Sequence, residues 1–335
     1  MPNVPRVKTV VAFGEVMLRL SPQGALRFPQ SDLLEMSFGG AEVNVAVALA
    51  QLGTPASFVT RLPDHEVAKA CIQKIRAAGV ATDRVLFGGH RMGTYFVERG
   101  GGARAASVLY DRKDSAIATV DPAELDWDVL LADAAWFHVS GITPALSASA
   151  ARAAMDACVA ARRLGVPASM DINFRAKLWS AEEAGRGLAP FLDVIDTCIC
   201  NETHARMLFA VSGDDDAETA HLLANRHPTL RRIAITRRRT VDSTRDRWRA
   251  TLRTAEGVFH SPEHEIAMVE RVGGGDSFSA GLIHALLSGR PQEDAVSFGA
   301  AALALKHTIV GDFASFSERD VLTFQASGGS SAVQR

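Results

Sequence analysis

Short apolar runs alternate along this chain with longer segments of helical spacing. Residues 10–14 read as a first buried strand. Residues 41–52 are rich in alanine and valine and stop at Gly53, the residue type that ends a helix by entering the left-handed region. Residues 57–60 predict a second strand, and 66–79 another glycine-terminated helix. The alternation continues with strand 135–139, helix 147–165, and strands 167–172, 194–200 and 232–236. Helices 277–287 and 292–307 follow. Strand and helix alternating over this length predict an α/β fold in three layers, a mostly parallel sheet flanked by helices on both faces.

Two segments break the pattern. Residues 17–38 hold strand-like pieces separated by Pro22, Gly24 and Pro29, with no helix between them. Residues 91–118 hold strands at Tyr95-Phe96-Val97 and 107–110 around the turn Gly100-Gly101-Gly102. Both predict antiparallel hairpins that form a small β-stranded lid over the main sheet. The expected division is a main domain over 1–16, 39–90 and 119–324, a lid over 17–38 and 91–118, and a flexible, Ser/Gly/Ala-rich tail over 325–335.

A formal charge of −2 leaves no footprint for nucleic acid or a membrane surface. Arg237, Arg238 and Arg239, and the arginines at 245, 247 and 249, are expected on a solvated face or turn. No stretch of eighteen apolar residues is present and residues 1–8 lack a signal-peptide pattern, so a soluble, cytoplasmic protein is expected. Of the four cysteines, Cys198 and Cys200 alternate on one strand; reduced, buried thiols are expected for all of them.

The sharpest chemical feature is Gly273-Gly274-Gly275-Asp276, followed by the start of a helix. Glycines let backbone N–H groups turn into one small volume, and the helix adds its positive end, which together make an anion hole. Asp276 on its rim is placed either to take the proton of an attacking hydroxyl or to serve as an ordinary helix cap. The chain has no Walker phosphate loop, and Gly100-Gly101-Gly102-Ala103-Arg104-Ala105 lacks the strand-to-helix setting of a dinucleotide site.

Residues 270–276 resemble the C-terminal signature of the ribokinase-like (PfkB) sugar kinases, with Glu270 where that family usually has aspartate. Gly39-Gly40-Ala41-Glu42-Val43-Asn44 resembles the family's sugar-binding turn. Met17 to Pro22 with Arg27-Phe28, Asp171-Ile172-Asn173-Phe174-Arg175 with Leu178-Trp179, and Lys306 to Phe313 are similar to the 2-keto-3-deoxygluconate kinase branch.

The resemblance implies a ribokinase-like fold and ATP-dependent, Mg²⁺-assisted phosphorylation of 2-keto-3-deoxygluconate at its terminal hydroxyl. Asp276 is implied as the base and Gly273, Gly274 and Gly275 as the anion hole. Gly39, Gly40, Asn44, Tyr95, Tyr110, Arg112 and Arg175 are implied around the sugar acid, the arginines because a guanidinium matches a carboxylate. Asn201, Gly273, Gly275 and His307 are implied around the nucleotide. His204 stands where the family often carries a glutamate near Mg²⁺, so no metal ligand is assigned. A small-molecule sugar acid and ATP are the expected partners, and a homo-oligomer paired through the lids is expected. The alternatives are a related kinase of the fructokinase, ribokinase or 5-keto-2-deoxygluconokinase type, or a sugar-acid-binding protein with impaired catalysis.

Overall fold

Val10 to Phe13 are wholly buried, as expected of a central strand packed on both faces. The computed structural model describes residues 8–100, 104–242 and 244–328. In chain order the strands are β1 (Thr9–Phe13), β2 (Met17–Ser21), β3 (Glu35–Gly39), β4 (Ala56–Leu62), β5 (Val85–Phe87), β6 (Thr94–Glu98) and β7 (Ser107–Asp111). They continue with β8 (Ala134–Ser140), β9 (Ala168–Asp171), β10 (Thr197–Asn201), β11 (Arg232–Thr240), β12 (Arg245–Arg253), β13 (Val258–His260) and β14 (His264–Ala267).

The main sheet has the order β13-β12-β11-β10-β9-β8-β1-β4-β5, with β14 also on β12. It is parallel from β11 to β5 and antiparallel beyond, where β12 returns against β11. One apolar cluster, with Val47, Leu49, Phe278 and Phe298, packs on one face; a second, with Ala157, Leu188, Phe191 and Leu223, packs on the other. The expected three layers, a mostly parallel sheet flanked by helices on both faces, are therefore present. Helix Ala148–Leu164 shows how locally the pattern acts: Ser147 accepts the Ala150 N–H, and Gly165 closes the far end at φ 70°.

The lid is a separate sheet of order β3-β2-β6-β7. Each hairpin pair is antiparallel as expected, but β2 and β6 join in parallel, a pairing that hairpin signals cannot announce. Residues 101–103, which include Gly101 and Gly102 of the expected turn, lie outside the described residues. So do residues 1–7 and most of the expected tail; its first residues, Gln325 to Ser327, form instead the end of helix Glu318–Ser327, which Ser317 caps at its start.

The arginines at 237–239 and 245–249 stand on β11 and β12 rather than in a turn. Arg237 faces Arg249 and Arg239 faces Arg247 directly across the ladder, where like charges repel. Asp216 bridges Arg237 and Arg249, and Glu265 takes Arg247, which offsets the repulsion. All four cysteines are free and buried. No helix among the described residues is long and apolar enough to cross a membrane.

Candidate active site

The C-terminal ends of β1, β8 and β9 open toward the lid, as ligand sites do in parallel α/β sheets. A cleft of about 210 Å³ lies there, walled by the glycine loop, Asp276, Gly40, Asn44, Asp171, Arg175 and the lid residues Tyr95, Tyr110 and Arg112. The sequence placed these residues up to 236 positions apart; the fold brings them to one volume.

Gly273 adopts φ +84°, and a Cβ on Gly274 would stand 2.4 Å from the His307 ring. Glycine is thus required once for conformation and once for close approach. Asp276 lies in the first turn of helix Gly274–Leu287, and the Asn44 amide donates to its Oδ2 at 2.7 Å. Burial pushes the Asp276 carboxyl up to about 7, against the Asn44 hydrogen bond, with Asp171 and Asp312 adding to the rise. Asp171 is likewise pushed up to about 6 by burial. A carboxylate poised near neutrality is suited to accept a proton.

The lid wall is already partly engaged. Tyr95 and Tyr110 stack with centroids 5.9 Å apart, and the Arg112 guanidinium sits 5.4 Å over Tyr110. Arg112 also pairs with buried Glu15, Nε to Oε2 at 2.7 Å, and Ser115 donates to the other oxygen at 2.5 Å. The Tyr95 hydroxyl donates to Asp312 Oδ2 at 2.6 Å rather than pointing at open space. Among the described residues, Arg175 donates to the backbone oxygens of Asn173 and Phe174.

Three expected residues stand outside the cleft wall. Gly39 lies against the Asp312 carboxylate, 2.3 Å from where its Cβ would be. Asn201 caps helix Glu202–Phe209 by accepting the His204 N–H at 2.8 Å. His307 is buried under the glycine loop, donating through Nδ1 to the Glu270 carbonyl at 2.8 Å and stacking on Trp248. It packs against the loop at Gly274, which leaves room for the ring. His204 meets the Phe174 ring edge-on, and burial, helped by Arg175, lowers it to about 4, so it is a neutral imidazole.

Glu15, Glu42, Arg271 and Asp312 also line the cleft, and the sequence reading gave none of them a role. Glu42 Oε1 accepts from the Ser140 amide and from the Ser140 and Thr143 hydroxyls, tying helix Ala41–Gln51 to β8 and the segment after it. The available signal was chemical: Gly14-Glu15-Val16 and Ala41-Glu42-Val43 put lone acids inside apolar surroundings.

Residues 7–315 match the pfkB family of carbohydrate kinases. The chain belongs to that family. It is an enzyme, a carbohydrate kinase. It is 34% identical over 305 residues to the 2-dehydro-3-deoxygalactonokinase of Haloferax volcanii, covering 91% of this chain and 92% of that one. Its fold is similar to the 2-dehydro-3-deoxygluconokinase of Thermotoga maritima at TM-score 0.92 and 38% identity, over 95% of this chain and 99% of that one. A putative ribokinase II from E. coli, solved with ATP and Mg²⁺, shares the fold at TM-score 0.82 and 18% identity, over 96% of this chain and 99% of that chain. Kinases of this family use ATP, and the carbohydrate kinase here has relatives acting on 2-dehydro-3-deoxy sugar acids.

Proposed function

We propose that this kinase transfers the γ-phosphoryl group of ATP to the terminal hydroxyl of 2-keto-3-deoxygluconate, forming the 6-phosphate. The observation that carries the reading is one cleft lined by a glycine loop, by Asp276 with its carboxyl pushed up to about 7, and by two guanidinium groups, Arg112 and Arg175. The activities of the Haloferax and Thermotoga relatives, a 2-dehydro-3-deoxygalactonokinase and a 2-dehydro-3-deoxygluconokinase, support the 2-keto-3-deoxy acid class.

Asp276 Oδ1, the oxygen not held by Asn44, accepts the proton as the hydroxyl oxygen bonds to phosphorus and the bond to the departing ADP breaks. The Gly273 to Gly275 amides hold the charge that develops on the transferring group. Gly40 and Asn44 meet the sugar hydroxyls, Tyr110 packs against the carbon chain, and Arg175, with Arg112, meets the carboxylate.

The donor set suits Mg²⁺ bound chiefly through phosphates and water, because Asp171 and Asp276 lie beside the glycine loop and no group of three acidic, His or Cys ligands forms among the described residues. Asp171 would hold it through water, and the ion when bound neutralises phosphate charge. The adjoining cleft of about 580 Å³, which shares Arg271 with the first, has room for the nucleoside. A cytoplasmic enzyme fits the use of ATP.

The outer face of the lid supports a homodimer. Register sets Met36, Leu20, Phe96 and Leu109 in one apolar row across all four strands, with Met36 55% and Leu109 61% exposed. A second copy of this sheet would cover the row and protect its edges.

The deciding experiment is ADP release with 2-keto-3-deoxygluconate, 2-keto-3-deoxygalactonate, fructose, ribose and gluconate. Turnover at least tenfold higher on the gluconate-derived keto-deoxy acid supports the proposal. Preference for the galactonate epimer or for a neutral sugar overturns the substrate and leaves the kinase.

A further inference from the structure

On the inner face of the lid, register sets Ser37, Arg19, Tyr95 and Tyr110 in one row. Arg19 is wholly buried and its guanidinium forks: Nη1 donates to Asp312 Oδ1 at 2.6 Å and Nη2 to Glu270 Oε2 at 2.8 Å. Tyr95, from the neighbouring strand, donates to the second Asp312 oxygen. Neither carboxylate belongs to the lid. Glu270 opens the segment that leads into Gly273, and its Oε1 accepts the Arg271 amide at 3.0 Å. The Asp312 backbone oxygen lies 2.7 Å from where a Cβ on Gly273 would stand.

Lys306 completes the cluster with no exposed surface. Its Nζ donates to the Ile309 and Gly311 carbonyls at 3.1 and 2.7 Å, and its Cε stands 3.0 Å from the same Gly273 position. Arg99 of the lid adds a weaker approach, Nε 3.8 Å from Glu270 Oε2. Although burial opposes its charge, Asp312 and Glu270 hold the Arg19 guanidinium more firmly protonated than usual. Two lid strands and two body loops therefore meet on the underside of the anion hole.

Desolvation offsets much of the attraction in a buried ion pair, so such a cluster is a weak source of net stability; it discriminates better between alternative arrangements. A rigid fork joining carboxylates on two separate loops is satisfied in a single register. We propose that Arg19 is a positioning residue for phosphoryl transfer, holding the lid's tyrosine face and the glycine loop as one unit through Glu270 and Asp312. The proposal rests on the reading of the glycine loop and Asp276 as the transfer site.

Arg19→Lys keeps the charge but loses the fork. On the best substrate of the panel, kcat is expected to fall at least tenfold with the sugar KM changed less than threefold. Amide hydrogen exchange at residues 273–276 of the unliganded protein is expected to quicken at least tenfold, together with the lid strand carrying Tyr95. Glu270→Asp, which retracts one carboxylate, is expected to move both readouts the same way by a smaller factor. Unchanged exchange in the glycine loop of a folded Arg19→Lys protein overturns the proposal, as does a kcat within twofold of the parent. Failure of both variants to fold also overturns it, by making the cluster a stability device alone. Exchange is read without any substrate, so a parent inactive on keto-deoxy acids counts against the assigned substrate, and the latch is then judged on exchange.

Discussion

Asn44 and Asp276, 232 positions apart, are joined by one buried hydrogen bond of 2.7 Å from the amide to the carboxylate. It links helix Ala41–Gln51 to helix Gly274–Leu287, whose first turn carries Asp276. Because the donor favours the charged carboxylate, Asn44 restrains the upward push that burial gives Asp276.

The rate should therefore depend on a carboxyl that loses its proton unusually late. The acid limb of kcat/KM is expected near pH 7, the rate falling about tenfold per unit below it as Asp276 takes up its proton. Asn44→Ala removes the hydrogen bond to the anion and should move the limb to higher pH. A limb near pH 4 in the parent would remove Asp276 from the role of base.

Asp276→Asn preserves shape and removes basicity. Turnover measured by ADP release is expected to fall roughly 10²–10⁴-fold. Calorimetric affinity for the sugar acid and for a non-hydrolysable ATP analogue should stay within threefold. Near-normal turnover would assign the side chain to helix capping instead.

The two arginines should separate into different kinds of residue. Arg112→Met leaves Glu15 buried without its cation, a loss of about 3–5 kcal/mol of stability, read as a lower melting temperature. Arg175→Met breaks no ion pair among the described residues, so its melting temperature should hold while the KM for the keto-deoxy acid rises at least tenfold. Fructose, lacking a carboxylate, should be little affected by the second change.

Adjacent glycines make a steric contrast. A methyl at Gly274 would collide with His307, and Gly274→Ala should lower stability by about 1–3 kcal/mol. At Gly275 the nearest atom to a new Cβ is Asp171 Oδ2 at 3.9 Å. Gly275→Ala should keep its melting temperature yet lose turnover, since the methyl occupies space beside the transferring group. Chemical unfolding and ADP release on both variants check the pair.

Light scattering of the parent should give a dimer mass. Leu109→Arg combined with Met36→Arg should give the monomer, because each places a charge on the exposed apolar row of the lid. A parent that is monomeric at micromolar concentration would rule out pairing through that face.

Much of the frame was legible from neighbouring residues alone. Apolar period, Ser147 and Gly165 at the ends of a helix, and glycines before Asp276 act through local backbone chemistry, so strand, helix and anion hole can be read within windows of about a dozen residues. The lid strands were legible for the same reason. The parallel joining of β2 to β6 was not, since strands 73 or more residues apart are paired by packing rather than by a turn.

The chain's own order of residues thus determined the alternating α/β layers, the glycine turn and the acid that follows it. Tertiary structure alone decided which charges meet. Arg19 finds Asp312 across 293 positions, Arg112 finds Glu15 across 97, and Tyr95 gives its hydroxyl to Asp312 rather than to open cleft. The reason is physical: a buried charge must be matched by whichever opposite group the packed core brings within reach, and that neighbour has no fixed spacing along the chain.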